Sequence, residues 1–204
     1  MMPEIHLEDY LRRKTLILGD VNTGKTTLTR NVLEEFCRHD LGGRIVIVDM
    51  APEIPAKLVY EKGLIGIGGK LTPPGGHDIL YLGGRFEPPR LSSKTEAEAI
   101  EKARQNFRIM EDLFRRLHLQ SRDIMMVNDV SIYLQAGTAE NLTRWLDQAV
   151  TVIANGYWGK RLGGGTLTER ERTETAKLKT YFEQQGRVLI LDPRDFYPIH
   201  EEYL

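Results

Sequence analysis

A phosphate-binding pattern lies near the amino terminus, where glycines, a lysine and threonines recur at a fixed spacing. The residues concerned are Gly19, Asp20, Val21, Asn22, Thr23, Gly24, Lys25, Thr26 and Thr27. The first eight match G-x-x-x-x-G-K-[ST], the pattern of a P-loop when a strand precedes it and a helix follows. In such a loop, backbone amides point at phosphate oxygens, and the amino end of the helix adds partial positive charge.

Two side chains of this pattern have predicted individual roles. Lys25 would bridge the β- and γ-phosphates of a nucleoside triphosphate, and the Thr26 hydroxyl would be a ligand of Mg²⁺, which prefers oxygen. The sequence contains no match to the guanine-reading pattern Asn-Lys-x-Asp, which favours ATP over GTP. Asn155 would hydrogen-bond to the base and Tyr157 and Trp158 would stack on it, unless these aromatic residues serve packing alone.

Acidic residues end two predicted strands. Asp49 follows the apolar run 45–48, and Asp129 follows the run 124–128. Ligands of open α/β sheets bind beyond the carboxyl ends of the strands, so either acid is a candidate to hold Mg²⁺ through water. Asp49 is also a candidate to orient the hydroxyl that accepts a phosphoryl group; the alternative is an ordinary turn aspartate. Three cations are either contacts for an anionic substrate or surface charge: Lys70, Arg85 and Arg90.

A lid is predicted over residues 160–175. Three glycines at 163–165 precede a polar helix that begins near Thr168 and carries Arg170 and Arg172. Arginines on a movable segment can neutralise the charge that develops during phosphoryl transfer. The first half of this helix has almost no apolar face, which predicts weak packing. The alternative is a solvated, charged helix.

The composition is that of an ordinary soluble domain. The chain has 204 residues, 41% of them hydrophobic and 28% charged, with a net charge of −1, which gives no global field for nucleic acid or membrane. No apolar run approaches the roughly 20 residues of a membrane span. A single cysteine, Cys37, excludes an intramolecular disulfide and fits a reducing cytoplasm.

Short apolar runs alternate with helical patterns along the chain, which predicts a three-layer α/β fold with a mainly parallel sheet of about five strands. Strands are expected at 15–18, 44–48, 123–127, 149–154 and 187–191. Helices are expected at 25–38, 94–117, 139–148 and 168–185. Residues 50–92, rich in proline and glycine, predict an inserted β-hairpin region with strand-like pieces at 64–67 and 79–82, within one domain spanning 1–204.

Five segments, taken in their order along the chain, resemble the P-loop domain of the polynucleotide 5′-hydroxyl kinases and the related subunit of the pre-mRNA cleavage factor. The similar segments are GDVNTGKTTL, VIVDM, ILYLGGRFEPPRL, MMVNDVSIYLQAG and GGGTLTERERTETAKLKTYF. The resemblance implies phosphate transfer from ATP to the 5′-hydroxyl of RNA or DNA. It assigns the catalytic work to four kinds of residue, here Lys25, Thr26, Asp49, and Arg170 or Arg172.

Two other functions remain open from the residues. One is a nucleotide-dependent switch or slow ATPase that acts on a protein partner, whose lid and insertion would order with ATP and relax after hydrolysis. The other is a scaffold that keeps its nucleotide without turnover. Formation of a labelled oligonucleotide end, of free phosphate or of neither product distinguishes the three.

Overall fold

The computed structural model describes residues 5–55, 69–117, 119, 122–162 and 164–192. Six strands are present in this part of the chain: β1 (Lys14–Gly19), β2 (Ile45–Asp49), β3 (Leu80–Gly83), β4 (Ile124–Asn128), β5 (Thr151–Tyr157) and β6 (Gly186–Leu191). The helices are α1 (Lys25–Arg38), α2 (Pro89–Ser92), α3 (Glu96–Arg115), α4 (Val130–Leu134), α5 (Ala139–Leu146) and α6 (Gly165–Gln185). Short 3₁₀ turns occur at Leu7–Asp9 and Gly42–Arg44.

The strands form one parallel sheet in the order β3-β2-β4-β5-β1-β6. Strands β2 and β4 are buried along their whole length, as expected where a parallel sheet is covered on both faces. Because all strands run the same way, their carboxyl ends meet at one edge. That edge holds Gly19, Asp49, Asn128 and Tyr157.

Helices cover both faces of the sheet and make three layers. On one face α1 packs Val32, Leu33 and Phe36 against inward residues of β1, β2, β4 and β5. On the other face α3, α5 and α6 pack against the alternate residues of the same strands. Alternation of side chains along each strand divides the apolar residues between these two cores. The predicted three-layer α/β fold is confirmed.

Part of the insertion belongs to the main sheet. Its second strand-like piece is β3, which pairs in parallel with β2, from Val46 opposite Leu80 to Asp49 opposite Gly83. The sheet therefore has six described strands instead of about five. Residues 64–67, the other predicted piece, lie outside the described residues. A four-residue run carries too little pattern to reveal whether its partner is a neighbouring hairpin strand or a distant strand.

Candidate functional site

The P-loop connects β1 to α1 at the carboxyl edge of the sheet. It turns through Asn22 at a φ of 59° and Gly24 at a φ of 79°, and α1 begins at the next residue, Lys25. The left-handed backbone at residue 24 suits glycine, which has no side chain to collide with its own backbone. Within the loop the Thr23 hydroxyl donates to the Asp20 carbonyl at 2.9 Å. The strand–loop–helix context required by the sequence pattern is present.

Lys25 turns its ammonium group back over the loop. The Nζ atom donates to the carbonyl oxygen of Asp20 at 2.5 Å. Burial lowers the pKa of Lys25, while the carboxylates of Asp129 and Asp20 oppose this shift. A cation held at the amino end of α1 strengthens the positive potential that the helix itself provides there. This arrangement suits an anionic ligand.

The two threonines that follow lie in different environments. Thr26 is half-buried. Gly69 lies beside it, since a Cβ on Gly69 would be 3.8 Å from Thr26 Cγ2. Thr27 is exposed. Val21, at the loop's far side, is buried. The insertion therefore borders the P-loop at Gly69.

A loop after β5 lies directly on the P-loop; we call residues 158–162 the 158–162 loop. The Trp158 amide donates to the Gly19 carbonyl at 2.9 Å, and the Lys160 amide donates to Asp20 Oδ2 at 3.1 Å. A Cβ at Gly159 would lie 2.3 Å from Asp20 Cγ, so only glycine permits this approach. Burial alone would raise the pKa of Asp20, but amides including that of Lys160 lower it below its usual value. Asp20 thus holds the 158–162 loop against the P-loop.

Asp129 is the acid that faces Lys25. It directly follows β4 in a left-handed conformation with a φ of 60°, and its amide donates to Asn155 Oδ1 at 3.0 Å. The residue is partly buried, and its carboxyl group is partly removed from water. This burial raises the pKa of Asp129, against the attraction of Lys25 and a hydrogen bond with Ser131. A carboxylate and an ammonium therefore share the ligand-facing edge of the sheet.

Asp49 lies deeper, and four donors occupy its carboxylate. Oδ1 accepts from the Ala51 amide at 3.0 Å and from Asn128 Nδ2 at 2.9 Å. Oδ2 accepts from the Leu71 amide at 2.8 Å and from Tyr81 Oη at 3.0 Å. A carboxylate has about four lone-pair positions, so this set fills it. Protein donors thus occupy the Asp49 carboxylate, and one of them is the amide of Leu71, in the segment beside the P-loop.

Asp49→Asn is therefore expected to lower the free energy of unfolding by about 2 kcal/mol, because the new amide group faces backbone donors in a buried position. Asp78→Asn is the control, since the Asp78 side chain is 85% exposed. Chemical denaturation of both variants and of the wild type measures the difference. A stable Asp49→Asn variant that has lost turnover would return Asp49 to a catalytic role.

Asn155 is part of a buried polar chain. Its Nδ2 donates to Thr29 Oγ1 and to Asn128 Oδ1, both at 2.9 Å, and the residue is 2% exposed. These bonds join α1, β4 and β5, and they direct the amide into the protein, whereas a base contact requires an accessible side chain. Tyr157 Oη accepts from the Leu162 amide at 2.8 Å, and Trp158 packs against the larger core. All three residues have structural partners.

The two predicted lid arginines bind backbone carbonyls. Arg170 Nη2 donates to Ala136 at 2.9 Å and to Gly137 at 3.0 Å. Arg172 Nη2 reaches the carbonyl of Gly159 at 3.4 Å. Arg172 therefore contacts the 158–162 loop, whereas Arg170 contacts the turn after α4. The structure does not bring the two guanidinium groups together.

The predicted lid helix is α6, and its first half is held more firmly than its sequence predicts. Leu167 packs with Ala99 and Ala103 of α3, and Glu174 accepts from the Ala139 amide at 2.8 Å. Residue 163 of the expected glycine joint lies outside the described residues. Buried glutamates provide contacts that a search for apolar spacing does not detect.

Glu171 is a site residue that the sequence did not indicate as one. It lies opposite Arg90, whose Nη2 is 2.8 Å from Glu171 Oε2, and Gln135 Nε2 donates to the same carboxylate at 2.8 Å. The Glu171 side chain is only 4% exposed. Its position in a charged, polar helix predicted a solvated residue near the start of the helix. The packing of α2, α4 and α6, which are distant in sequence, places the Glu171 carboxylate in the interior.

Burial raises the pKa of Glu171 to about 7, outweighing the attraction of Arg90. The folded protein then holds this proton more tightly than the unfolded chain does. The free energy of unfolding should therefore fall as pH rises from 4.5 to about 7, by at most about 3 kcal/mol. Glu171→Gln should lack this slope, and Glu183→Gln, at an exposed position, should keep it. Equal slopes in wild type and Glu171→Gln, measured by denaturation between pH 5 and pH 8 at roughly unit steps, would contradict the assignment.

The donor set suits Mg²⁺ bound together with phosphates. Within the described ranges no three His, Cys, Asp or Glu residues are grouped to hold a metal by themselves. Mg²⁺ characteristically keeps several waters and takes one or two protein oxygens alongside substrate phosphates. The Thr26 hydroxyl and the Asp129 carboxylate are oxygen donors of this kind at the same edge of the sheet.

The parallel sheet, the loop that follows β1 and the helix α1 define a protein of the P-loop NTPase fold. The chain matches no protein-family model and no curated protein sequence. In the part of the chain that the structure describes, no helix combines the length and the apolar character needed to cross a membrane.

Two solved structures are similar in outline. One is an ATPase from the type III secretion system of pathogenic bacteria, with a TM-score of 0.45 and 13% identity over 94% of this chain. This chain spans 54% of that ATPase. The other is the flagellar accessory protein FlaH from Methanocaldococcus jannaschii, with a TM-score of 0.39 and 10% identity, covering 81% of this chain and 69% of that protein. At this level of similarity neither match assigns a function.

Proposed function

We propose that the chain binds a Mg²⁺–nucleoside triphosphate, ATP in preference to GTP, at its P-loop and hydrolyses it. The observation that carries this proposal is the position of Lys25. Its ammonium group lies over the loop at the amino end of α1, where the charge of Asp129 acts on it. Phosphate binding and charge neutralisation are the main requirements of phosphoryl-transfer chemistry, and this edge supplies both.

The groups at this edge of the sheet then have the following tasks. The loop amides and Lys25 hold the β- and γ-phosphates, and the Thr26 hydroxyl and Asp129 hold Mg²⁺, which supplies further positive charge to the phosphate oxygens. Asp129 also orients the attacking water and accepts its proton. The water oxygen bonds to the γ-phosphorus as the bond to the β–γ bridging oxygen breaks.

Transfer to a 5′-hydroxyl end of RNA or DNA is the second candidate, in which a hydroxyl replaces water. The resemblance in sequence favours it. We place hydrolysis first because four donors already occupy Asp49, the acid expected to orient an acceptor. A switch that acts on a protein partner would use the same hydrolysis.

The products of turnover test the proposal. The protein is incubated with γ-labelled ATP or GTP, Mg²⁺ and 5′-hydroxyl oligonucleotides of RNA and DNA. Free labelled phosphate is the expected product, more from ATP than from GTP. Label on the oligonucleotide end would instead establish the kinase, and nucleotide binding without either product would establish the scaffold.

A further inference from the structure

Arg90 is a largely buried cation on the short helix α2, at the edge of the site. Its side chain is 14% exposed. Nη1 donates to the Leu162 carbonyl at 2.8 Å, and Nη2 pairs with Glu171 of α6. The guanidinium carbon also lies 5.5 Å from the centre of the Tyr157 ring. One guanidinium group thus joins α2, α6 and the segment after β5.

The contacts of Arg90 hold one end of the 158–162 loop, and the P-loop holds the other. At the far end Leu162 accepts from Arg90 and donates its amide to Tyr157 Oη. At the near end Trp158 and Lys160 donate to Gly19 and Asp20. The loop is therefore stretched between a phosphate-binding segment and a buried ion pair.

Glu171 keeps Arg90 in this position. Both oxygens of the Glu171 carboxylate contact one nitrogen, Arg90 Nη2, and a charge-assisted hydrogen bond of this kind is stronger than a neutral one. Glu171 contacts Arg90 through Oε1 at 3.1 Å and Oε2 at 2.8 Å, while Gln135 donates to Oε2. Arg90 also lies near enough to Asp129 for its charge to act on that acid. Loss of Arg90 would therefore have two effects. It would release the 158–162 loop from this contact, and it would change the electrostatic potential at Asp129.

We propose that Arg90 is a positioning residue of the nucleotide site, which fixes the 158–162 loop on the P-loop and acts on turnover through that loop and Asp129. The inference rests on the proposed nucleotide hydrolysis. This role differs from the one predicted for the lid arginines Arg170 and Arg172, which was to neutralise the charge that develops during phosphoryl transfer. Those residues bind carbonyls at other points, so neither substitutes for the contact with Leu162.

Two kinds of measurement test this role. Arg90→Gln and Arg90→Lys are compared with the wild type for the steady-state kcat and KM of Mg²⁺–ATP hydrolysis, for Kd by calorimetry, and for amide hydrogen exchange over residues 158–162. Arg44→Gln is the matched control. Arg44 makes two hydrogen bonds to Asp123, at 2.8 and 2.6 Å, immediately before β2 and β4 and so at the opposite edge of the sheet.

Arg90→Gln is expected to lower kcat by about tenfold or more, with Kd changed by less than about threefold, and to speed exchange at 158–162. Arg90→Lys should recover only part of kcat, because lysine keeps the charge without the planar fork. Arg44→Gln should leave kcat and exchange at 158–162 unchanged. If wild type hydrolyses ATP while Arg90→Gln keeps kcat and slow exchange, the inference fails and the proposed function stands. If wild type neither binds nor hydrolyses nucleotide, the proposed function fails first.

Discussion

Lys25→Ala is expected to weaken the binding of Mg²⁺–ATP by roughly 100-fold, or about 3 kcal/mol, since it removes an ammonium group that lies over the loop. Titration calorimetry on both proteins at the same Mg²⁺ concentration measures the loss. Hydrolysis should fall below detection at nucleotide concentrations that saturate the wild type.

Lys177→Ala is the matched control for this substitution. Lys177 lies on α6 with its side chain 62% exposed, and its partner is Glu174. It should bind nucleotide as the wild type does. A folded Lys25→Ala protein with unchanged affinity and turnover would refute the assigned site.

Asp129→Asn is expected to lower the turnover number by about 100-fold or more while the protein stays folded and still binds nucleotide. The substitution keeps the shape of the side chain, and asparagine tolerates the φ of 60° at this position. It removes the carboxylate that would orient water. Stability should be equal to or above that of the wild type, because burial disfavours the charged form of Asp129.

Asp40→Asn is the control for Asp129→Asn. Asp40 also has a left-handed backbone, with a φ of 58°, but it is exposed after the end of α1. Turnover of this variant should equal that of the wild type. An Asp129→Asn protein with full activity would exclude Asp129 as the base and leave water activation to another group.

The helices and most strands were predicted well, because the patterns that indicate them involve residues that are close together in the chain. The P-loop spacing and the amphipathic run after it placed α1 at the residues where it occurs, Lys25–Arg38. Apolar runs indicated β1, β2, β4, β5 and β6. The covering of both faces of the sheet was predicted from the alternation of apolar runs with helical patterns. The strand-like piece predicted at 79–82 occurs as β3, but its partner was not predicted, because this four-residue strand depends on the distant β2 for its pairing.

The roles of the polar residues were harder to predict, because they depend on partners far away in sequence. Asp49 looks like a free acid at a strand end, yet Leu71, Tyr81 and Asn128 donate to it from three other segments. Glu171 looks solvated in a charged helix, and only tertiary packing brings Arg90 against it. A sequence pattern identifies such carboxylates as candidate site residues. The number of hydrogen bonds that each accepts in the folded protein shows whether it is still available to bind a ligand.

Calorimetric titration of the wild-type protein with Mg²⁺–ATP, and with Mg²⁺–GTP in parallel, tests whether the P-loop binds a nucleoside triphosphate. Saturable, one-to-one binding with a Kd in the micromolar range, tighter for ATP, is the expected result. A protein that is folded by circular dichroism and yet gives no heat of association with either nucleotide at millimolar concentration would contradict it.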